Sequence, residues 1–296
     1  MKVNKLSDAL GVQLVDFDIK RASSPDEQAE LRSLFCEHHL LLVRGQNATE
    51  AHQDRFAQYF GPLSLMREGA PAGHISNKEE VKKEQMVVTG QNRLLWHADG
   101  TYGIHPGIGT SLLAIDASED ATPTMYVNAA RALERMPAVL RNRVEGLTAR
   151  HYRETYHEQT SKRMREEDLP VDAPPDRYPF YDHPIVYQLP HCEKKVLFVN
   201  ELATSHVIGM PRDESEALIQ QLFARLYAEE GVYTHHWQAK DLVIWDNLAL
   251  QHCRPNDLGT APRHLRRLSL DGWNTGNGVI DWFASGTVRA RTTAAQ

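Results

Sequence analysis

Apolar and polar positions follow two different periods along this chain, helical and strand-like, and from residue 85 short strand-like segments dominate. Residues 11–19, GVQLVDFDI, alternate as a strand does. Ser24-Pro25-Asp26-Glu27 follows; Ser24 can cap a helix, Pro25 suits its first position and Glu27 completes a capping box. The predicted helix runs to about His38, with Leu31, Leu34 and Phe35 on one face. LLLVRG at 40–45 reads as a buried strand closed by Gly45. A second helix over roughly 49–60 stops at Gly61-Pro62.

Beyond residue 85 short strand-like segments dominate: QMVVTG, LLWHADGTY, GTSLLAID, TMYV, PIVYQL, KVLFVN, GVYTHHW, DLVIWDN, LQHCR and HLRRLSLDGW. Helices over about 128–146 and 213–229 interrupt them. Strands this short and numerous predict a mainly β protein with flanking helices, its core a sandwich or barrel-like jelly roll. With no internal repeat, residues 1–296 are expected to form a single domain. The stretch 154–182 is polar, charged and proline-bearing, and a loop that long inside a compact domain is functional or disordered. We expect a lid or substrate-facing insertion there, with a surface excursion as the alternative. TVRARTTAAQ at the end is expected to fray.

A chain of 296 residues is long enough to bury a sizeable core, and 41% hydrophobic with 24% charged residues is ordinary for a soluble globular protein. The net charge of −6, without a basic block, argues against a nucleic-acid partner. No apolar run approaches a membrane span, and MKVNKLSDALG has no apolar signal core. Cys36, Cys192 and Cys253 are too scattered for a disulfide framework, so a reducing cytoplasm is the expected compartment. Fifteen histidines invite a metal reading, although most must be bystanders.

The chemistry begins at Leu94-Leu95-Trp96-His97-Ala98-Asp99-Gly100, a strand running into a turn. Residues i and i+2 of a strand share a face, so His97 and Asp99 project together, roughly 6–7 Å apart at Cα. Both can then reach one ion, at about 2.0–2.2 Å if it were zinc. Trp96 points the other way, into the core. An exposed His-Asp pair at a strand end is the bland alternative. His252, in LVIWDNLALQHCRPND, is the best distant candidate for a second imidazole. Two histidines and one carboxylate form a facial triad that leaves coordination positions open, as non-haem Fe(II) oxygenases require. In PRHLRRLSL, Arg263, Leu265, Arg267 and Ser269 share one face, and His264, Arg266, Leu268 and Leu270 the other. Two arginines on an inward face need anions, and about 13 Å along the strand separates their partners. A pair of exposed edge-strand arginines is the alternative.

These segments resemble the taurine dioxygenase/2,4-dichlorophenoxyacetate dioxygenase (TauD/TfdA) family of 2-oxoglutarate-dependent oxygenases over nearly the whole chain. LLLVRGQ and FAQYFGPL carry the likeness near the start, LLWHADGTY in the middle, and DLVIWDNLALQHCRP through PRHLRRLSLDG near the end. The resemblance implies a cupin-like double-stranded β-helix with Fe(II) held by His97, Asp99 and His252. It implies 2-oxoglutarate and O₂ as co-substrates, the far carboxylate of 2-oxoglutarate meeting Arg263 and Thr124. Arg267 matches a position that in some members binds an anionic substrate. Succinate and CO₂ would be released as a small, anionic organic molecule is oxidised, most simply by hydroxylation. Asp99 stands where related halogenases lack a carboxylate, which favours hydroxylation, desaturation or cleavage. The resemblance also implies a homo-oligomer, a dimer or tetramer. Two departures stand out. Ala121-Thr122-Pro123-Thr124 replaces a frequent Gly-Gly-Asp-Thr turn. Arg93 lies where taurine-type members carry a substrate-facing asparagine, which argues against taurine as substrate. Tyr102 is a further candidate for the substrate pocket.

The competing metal pairs are weaker. His235-His236 and His38-His39 are adjacent, so their side chains face opposite sides, and His206 has no partner in sequence. A non-catalytic cupin-like metal-binding or sensor protein is the alternative class; arginines at the co-substrate positions count against it. A zinc hydrolase on a jelly roll would need a general base that no motif supplies.

Overall fold

The computed structural model describes residues 1–64, 72–78, 94–153, 165, 167–168, 178–255 and 261–271, with the backbone alone of 156–157, 162–163, 166, 273–274, 278–281 and 289–291. Two facing sheets form the centre. The larger has seven strands in the order β1 (Val3–Lys5), β2 (Val12–Leu14), β3 (Leu40–Val43), β9 (Leu242–Asp246), β6 (Gly109–Ala117), β11 (Arg263–Leu270), β4 (Ala72–Ser76). All its neighbours are antiparallel except β2 and β3. The smaller runs β8 (Tyr233–His235), β7 (Thr124–Asn128), β10 (Leu250–Arg254), β5 (Leu94–His97). This is the expected jelly roll.

Strand alternation sorts side chains between two cores. Leu40 and Leu42 of β3, Val243 and Trp245 of β9, Leu112 and Ala114 of β6 and Leu265 of β11 fill the space between the sheets with Tyr126 and Leu250. Their neighbours Leu41, Val43, Leu242, Ile244, Leu113, Leu268 and Leu270 point outward and are covered by Leu31 and Phe35 of helix α1 (Pro25–His38) and Phe56 and Ala57 of α2 (Glu50–Gln58). Arg266, on that outward face, is buried against α2, with Asp54 Oδ1 at 2.7 Å and Gln53 Oε1 at 2.8 Å.

The expected capping box closes the start of α1: Ser24 Oγ accepts from Glu27 N–H at 3.2 Å, and Glu27 Oε2 accepts from Ser24 N–H at 2.8 Å. Two expectations need correction. Strand pairing over 11–19 stops at Leu14, because the side chain of Gln46 takes over: its Oε1 accepts from Ile19 N–H at 2.7 Å and its Nε2 donates to the Phe17 carbonyl. The helix expected over 128–146 is two helices, α3 (Ala129–Glu134) and α4 (Ala138–Val144), broken at Pro137. Proline lacks the N–H a continuing helix needs and disfavours helical geometry in the residue before it. The last helix, α5, spans Arg212–Leu226.

A three-stranded sheet of Phe180–Pro184, Thr148–Tyr152 and Thr204–Val207 and a hairpin of Val186–Gln188 with Lys195–Leu197 complete the described body. Most of the expected lid at 154–182, the QMVVTG segment, Arg93 and most of the C-terminal tail lie outside the described residues; within the tail, Arg289–Arg291 pairs as a strand with Gly278–Asp281. Among the described residues no helix is long and apolar enough to cross a membrane.

Candidate active site

β5 and β10 are antiparallel neighbours, and His97 faces His252 directly across them. Their rings stand 4.1 Å apart. Asp99 follows β5 in a turn, with Gly100 at φ +75°, a conformation that costs glycine little. The turn brings its Oδ1 to 3.6 Å from His97 Nε2. One potential ligand atom from each of His97, Asp99 and His252 lies within 4.8 Å of the other two.

The surroundings prepare these groups. His97 Nδ1 is 2.8 Å from the Leu95 carbonyl, which can only accept. Nδ1 therefore carries a proton, and Nε2 is the nitrogen turned toward Asp99. Burial, aided by the neighbouring His97, pushes the His252 pKa down to about 3, so its imidazole is neutral. His252 Nδ1 is buried without a hydrogen-bond partner among the described residues. Burial alone would raise the Asp99 pKa, but Arg267, the contact with His97 and the nearby His252 hold it well below the usual carboxylate range. Asp99 Oδ2 takes Arg267 Nη2 at 2.8 Å and the Thr110 hydroxyl at 3.2 Å, which leaves Oδ1 on the histidine side. Two imidazoles and one carboxylate are the donor set of a facial triad, and the residues fit a divalent iron.

Arg263 and Thr124 come together behind His252. Both line a small cavity of about 60 Å³ with Leu112, Trp245, His252, Arg254, Leu265 and Arg267. Arg263 is only 7% exposed, and its Nη1 donates to the Thr122 carbonyl at 2.7 Å. No carboxylate pairs with it among the described residues. Burial and the neighbouring Arg254 lower its pKa to about 10, so it remains a cation at neutral pH. The Thr124 oxygen accepts from Trp237 Nε1–H at 3.1 Å, so the hydroxyl proton is available to another acceptor.

A larger cavity of about 500 Å³ opens on the other side of the triad. It shares Ile75, Leu94, His252 and Arg267 with the small one, and Tyr102, His105 and Arg153 line its outer part. The Arg153 guanidinium lies 5.9 Å from the centre of the Tyr102 ring. Arg267 therefore sits between Asp99 and this cavity, and its first partner is the triad carboxylate. Arg93 lies outside the described residues.

The histidines set aside in the sequence stay apart from the triad. His235 is buried against Asp241 at 3.2 Å while His236 is exposed. His39 is buried on Asp246 and His38 is half-buried. His206 contacts Ser205 Oγ at 2.8 Å and does not line the cavity. Trp96 is buried and stacks on Tyr227, ring centres 5.2 Å apart. Four contributors went unnoticed in the sequence: Thr110, Asn247, Trp237 and Arg254. Asn247 Oδ1 accepts from Asp99 N–H at 2.8 Å, and its Nδ2 donates to the carbonyls of Asp99 at 3.0 Å and Gly107 at 2.8 Å. A polar Asp-Asn turn after four apolar strand residues was the only signal it left.

A jelly roll with two histidines and a carboxylate on one rim, and a buried arginine behind them, has the arrangement of a facial-triad oxygenase. The family model "Taurine catabolism dioxygenase TauD, TfdA family" matches residues 2–269, and the chain belongs to that family. It is accordingly a 2-oxoglutarate-dependent non-haem iron dioxygenase. It is 29% identical over 275 residues to the alpha-ketoglutarate-dependent 2,4-dichlorophenoxyacetate dioxygenase of Cupriavidus pinatubonensis, covering 88% of this chain and 93% of that one. It is also 29% identical over 252 residues to the (S)-phenoxypropionate/alpha-ketoglutarate-dioxygenase of Sphingobium herbicidovorans, covering 82% and 83%. A crystal structure of a putative alpha-ketoglutarate-dependent taurine dioxygenase from Burkholderia xenovorans superposes with a TM-score of 0.75 at 23% identity, over 97% of this chain and 96% of the other, which shows the shared fold.

Proposed function

We propose that His97, Asp99 and His252 hold Fe(II), that Arg263 and Thr124 hold the distal carboxylate of 2-oxoglutarate, and that a small organic anion is hydroxylated in the larger cavity. The observation that carries this reading is Arg263. A guanidinium buried beside the triad without a carboxylate partner among the described residues is costly unless an anion comes to it. A dicarboxylate reaching from the triad to Arg263 meets that need, and the Thr124 hydroxyl can donate to the same end.

Bound Fe(II), with 2-oxoglutarate and O₂, supplies the oxidising equivalent that inserts oxygen into a substrate C–H bond as succinate and CO₂ leave. The chain's own residues do the rest. His252, kept neutral by burial, ligates without first losing a proton at neutral pH, and His97 presents Nε2, its Nδ1 being tied to the Leu95 carbonyl. Asp99 ligates through Oδ1 while Arg267 and Thr110 hold Oδ2, which fixes the carboxylate's rotation. Arg263 and Thr124 set the direction from which the co-substrate enters. Arg267 has a second role: its charge faces the larger cavity and attracts an anionic group of the substrate, with Tyr102 beside it. Aryloxyalkanoic acids fit this pattern best, since two similar proteins are named for phenoxy acids; sulfonates and sulfate esters share the same charge and are named for others.

We further place the protein in a reducing cytoplasm, in keeping with free Cys36, Cys192 and Cys253, as a homo-oligomer, dimer or tetramer. Light scattering tests the assembly. The function is tested by a succinate-release screen with Fe(II), 2-oxoglutarate and O₂ over aryloxyalkanoates, sulfonates, sulfate esters and carboxylates. Substrate-stimulated succinate release with at least one anion is expected. No release with any of them, and none without substrate, would favour the metal-binding sensor instead.

A further inference from the structure

A second set of ligating atoms stands outside the iron-type site, beneath α1. Cys36 projects from the last turn of α1. His191 and Cys192 lie in the turn between the Val186–Gln188 and Lys195–Leu197 strands. Two sulfurs and one imidazole nitrogen from these residues fall within 4.8 Å of one another. Cys36 Sγ lies 3.9 Å from the His191 carbonyl. Cys36 and His191 are buried; Cys192 is half-buried.

The histidine is oriented from behind. His191 Nε2 is 2.9 Å from Asp246 Oδ2, and Asp246 is fully buried. Asp246 is itself held in place, since its Oδ1 accepts from Leu248 N–H and Ala249 N–H at 3.1 Å each. An imidazole whose far nitrogen donates to a fixed carboxylate is the arrangement found behind metal-bound histidines, where it sets the tautomer and strengthens the ligand.

We propose that Cys36, His191 and Cys192 bind a thiophilic divalent cation of the zinc type, with Asp246 as the partner behind His191. With Nε2 turned to Asp246, ligation falls to Nδ1. Binding releases two protons to solvent, one from each thiol, and two thiolates then balance the cation's charge. Zn–S bonds of about 2.3 Å place tetrahedral donors about 3.8 Å apart, so a cluster within 4.8 Å closes by at most about 1 Å. Cys192, the half-buried member, is the least enclosed of the three. The fourth position lies on the side of Cys192, where water can fill it. Donor softness sorts the two sites: sulfur draws zinc, while the two imidazoles and carboxylate of the triad suit iron.

Such a site would clip α1 to the turn and, through Asp246, to the end of β9. The next residue, Asn247, clasps Asp99. The clip therefore braces the strand end that carries the triad's support.

Anaerobic titration of the reduced full-length protein with Co(II) tests this. Wild type is expected to take up two ions per chain, one of them producing thiolate-to-cobalt charge-transfer absorption that Zn(II) then removes. The triad contains no sulfur and cannot give that band. Cys36→Ser and Cys192→Ser should lose the band and one cobalt, while His252→Ala should keep the band and lose the other cobalt. Because Cys36 is buried, circular dichroism accompanies its variant; half-buried Cys192 supplies the second test. Wild type without the band overturns the proposal, as does a band that survives in Cys192→Ser. Loss of two thiols to a disulfide in air, with no thiolate-bound cobalt after reduction, overturns it too.

Discussion

Asn247 clasps Asp99 by its backbone, accepting from its N–H at 2.8 Å and donating to its carbonyl at 3.0 Å across 148 residues of sequence. The same amide nitrogen donates to Gly107 at 2.8 Å. Three hydrogen bonds from one buried side chain fix the turn that aims the Asp99 carboxylate. Asn247→Leu removes all three and is expected to weaken Fe(II) binding about 10- to 100-fold, the range typical of residues that orient metal ligands. Competition with a chromophoric chelator measures it; an unchanged affinity would assign Asn247 to packing alone.

On the proposed function, Arg263 meets the co-substrate in the small cavity, and Trp237 acts on it through the Thr124 hydroxyl. Replacing Arg263 with leucine removes a charge-assisted contact of about 1.5–3 kcal/mol and should raise the KM for 2-oxoglutarate roughly 10- to 100-fold. Trp237→Phe deletes the N–H that donates to Thr124. One neutral hydrogen bond is worth about 0.5–1.5 kcal/mol, so a rise of a few-fold in the same KM is expected. Iron affinity should hold in both variants, which separates this cavity from the metal centre.

Arg267 answers to two partners, the Asp99 carboxylate and the larger cavity. Arg267→Leu should lower kcat/KM for an anionic substrate about 10- to 100-fold while affecting its uncharged amide analogue much less. Steady-state succinate assays on the substrate pair read the difference. Equal losses on both would confine Arg267 to holding Asp99.

His151 makes stability sensitive to acid. It is fully buried against His183 and Phe198, and burial followed by the neighbouring His183 depresses its pKa to about 3. The unfolded chain protonates this residue near pH 6.5, so below that the unfolded state binds more protons than the folded one. The stability it contributes is complete above pH 6.5 and is lost progressively as pH falls toward 3. At pH 5 the loss is about 2 kcal/mol. His151→Leu cannot titrate, so its stability relative to wild type should improve by about that amount between pH 8 and pH 5. Urea unfolding at the two pH values checks this; a pH-independent difference would contradict it.

What was legible in the sequence was local. Ser24, Pro25 and Glu27 announced α1 because a capping box acts within four residues, and β-alternation placed Arg263, Leu265 and Arg267 on one face of β11. His97 and Asp99 could be paired for the same reason. What the opposite sheet or a distant loop contributes left no periodic trace. Asn247 reaches Asp99, Trp237 reaches Thr124 from 113 residues away, and Gln46 ends the second strand by capturing backbone groups that alternation had assigned to a ladder. Alternation tells which way Arg267 points, and only the fold shows that Asp99 is waiting there. The break at Pro137 was readable, since proline's missing N–H acts locally.

The most direct measurement is equilibrium Fe(II) binding under anaerobic conditions for wild type, His97→Ala, Asp99→Ala and His252→Ala. We expect one iron bound per wild-type chain at low micromolar Fe(II) or tighter, with each substitution weakening it by at least about 100-fold, since each removes one of three protein ligands. Full-strength binding by His252→Ala, whose imidazole comes from the strand opposite His97, would contradict the account.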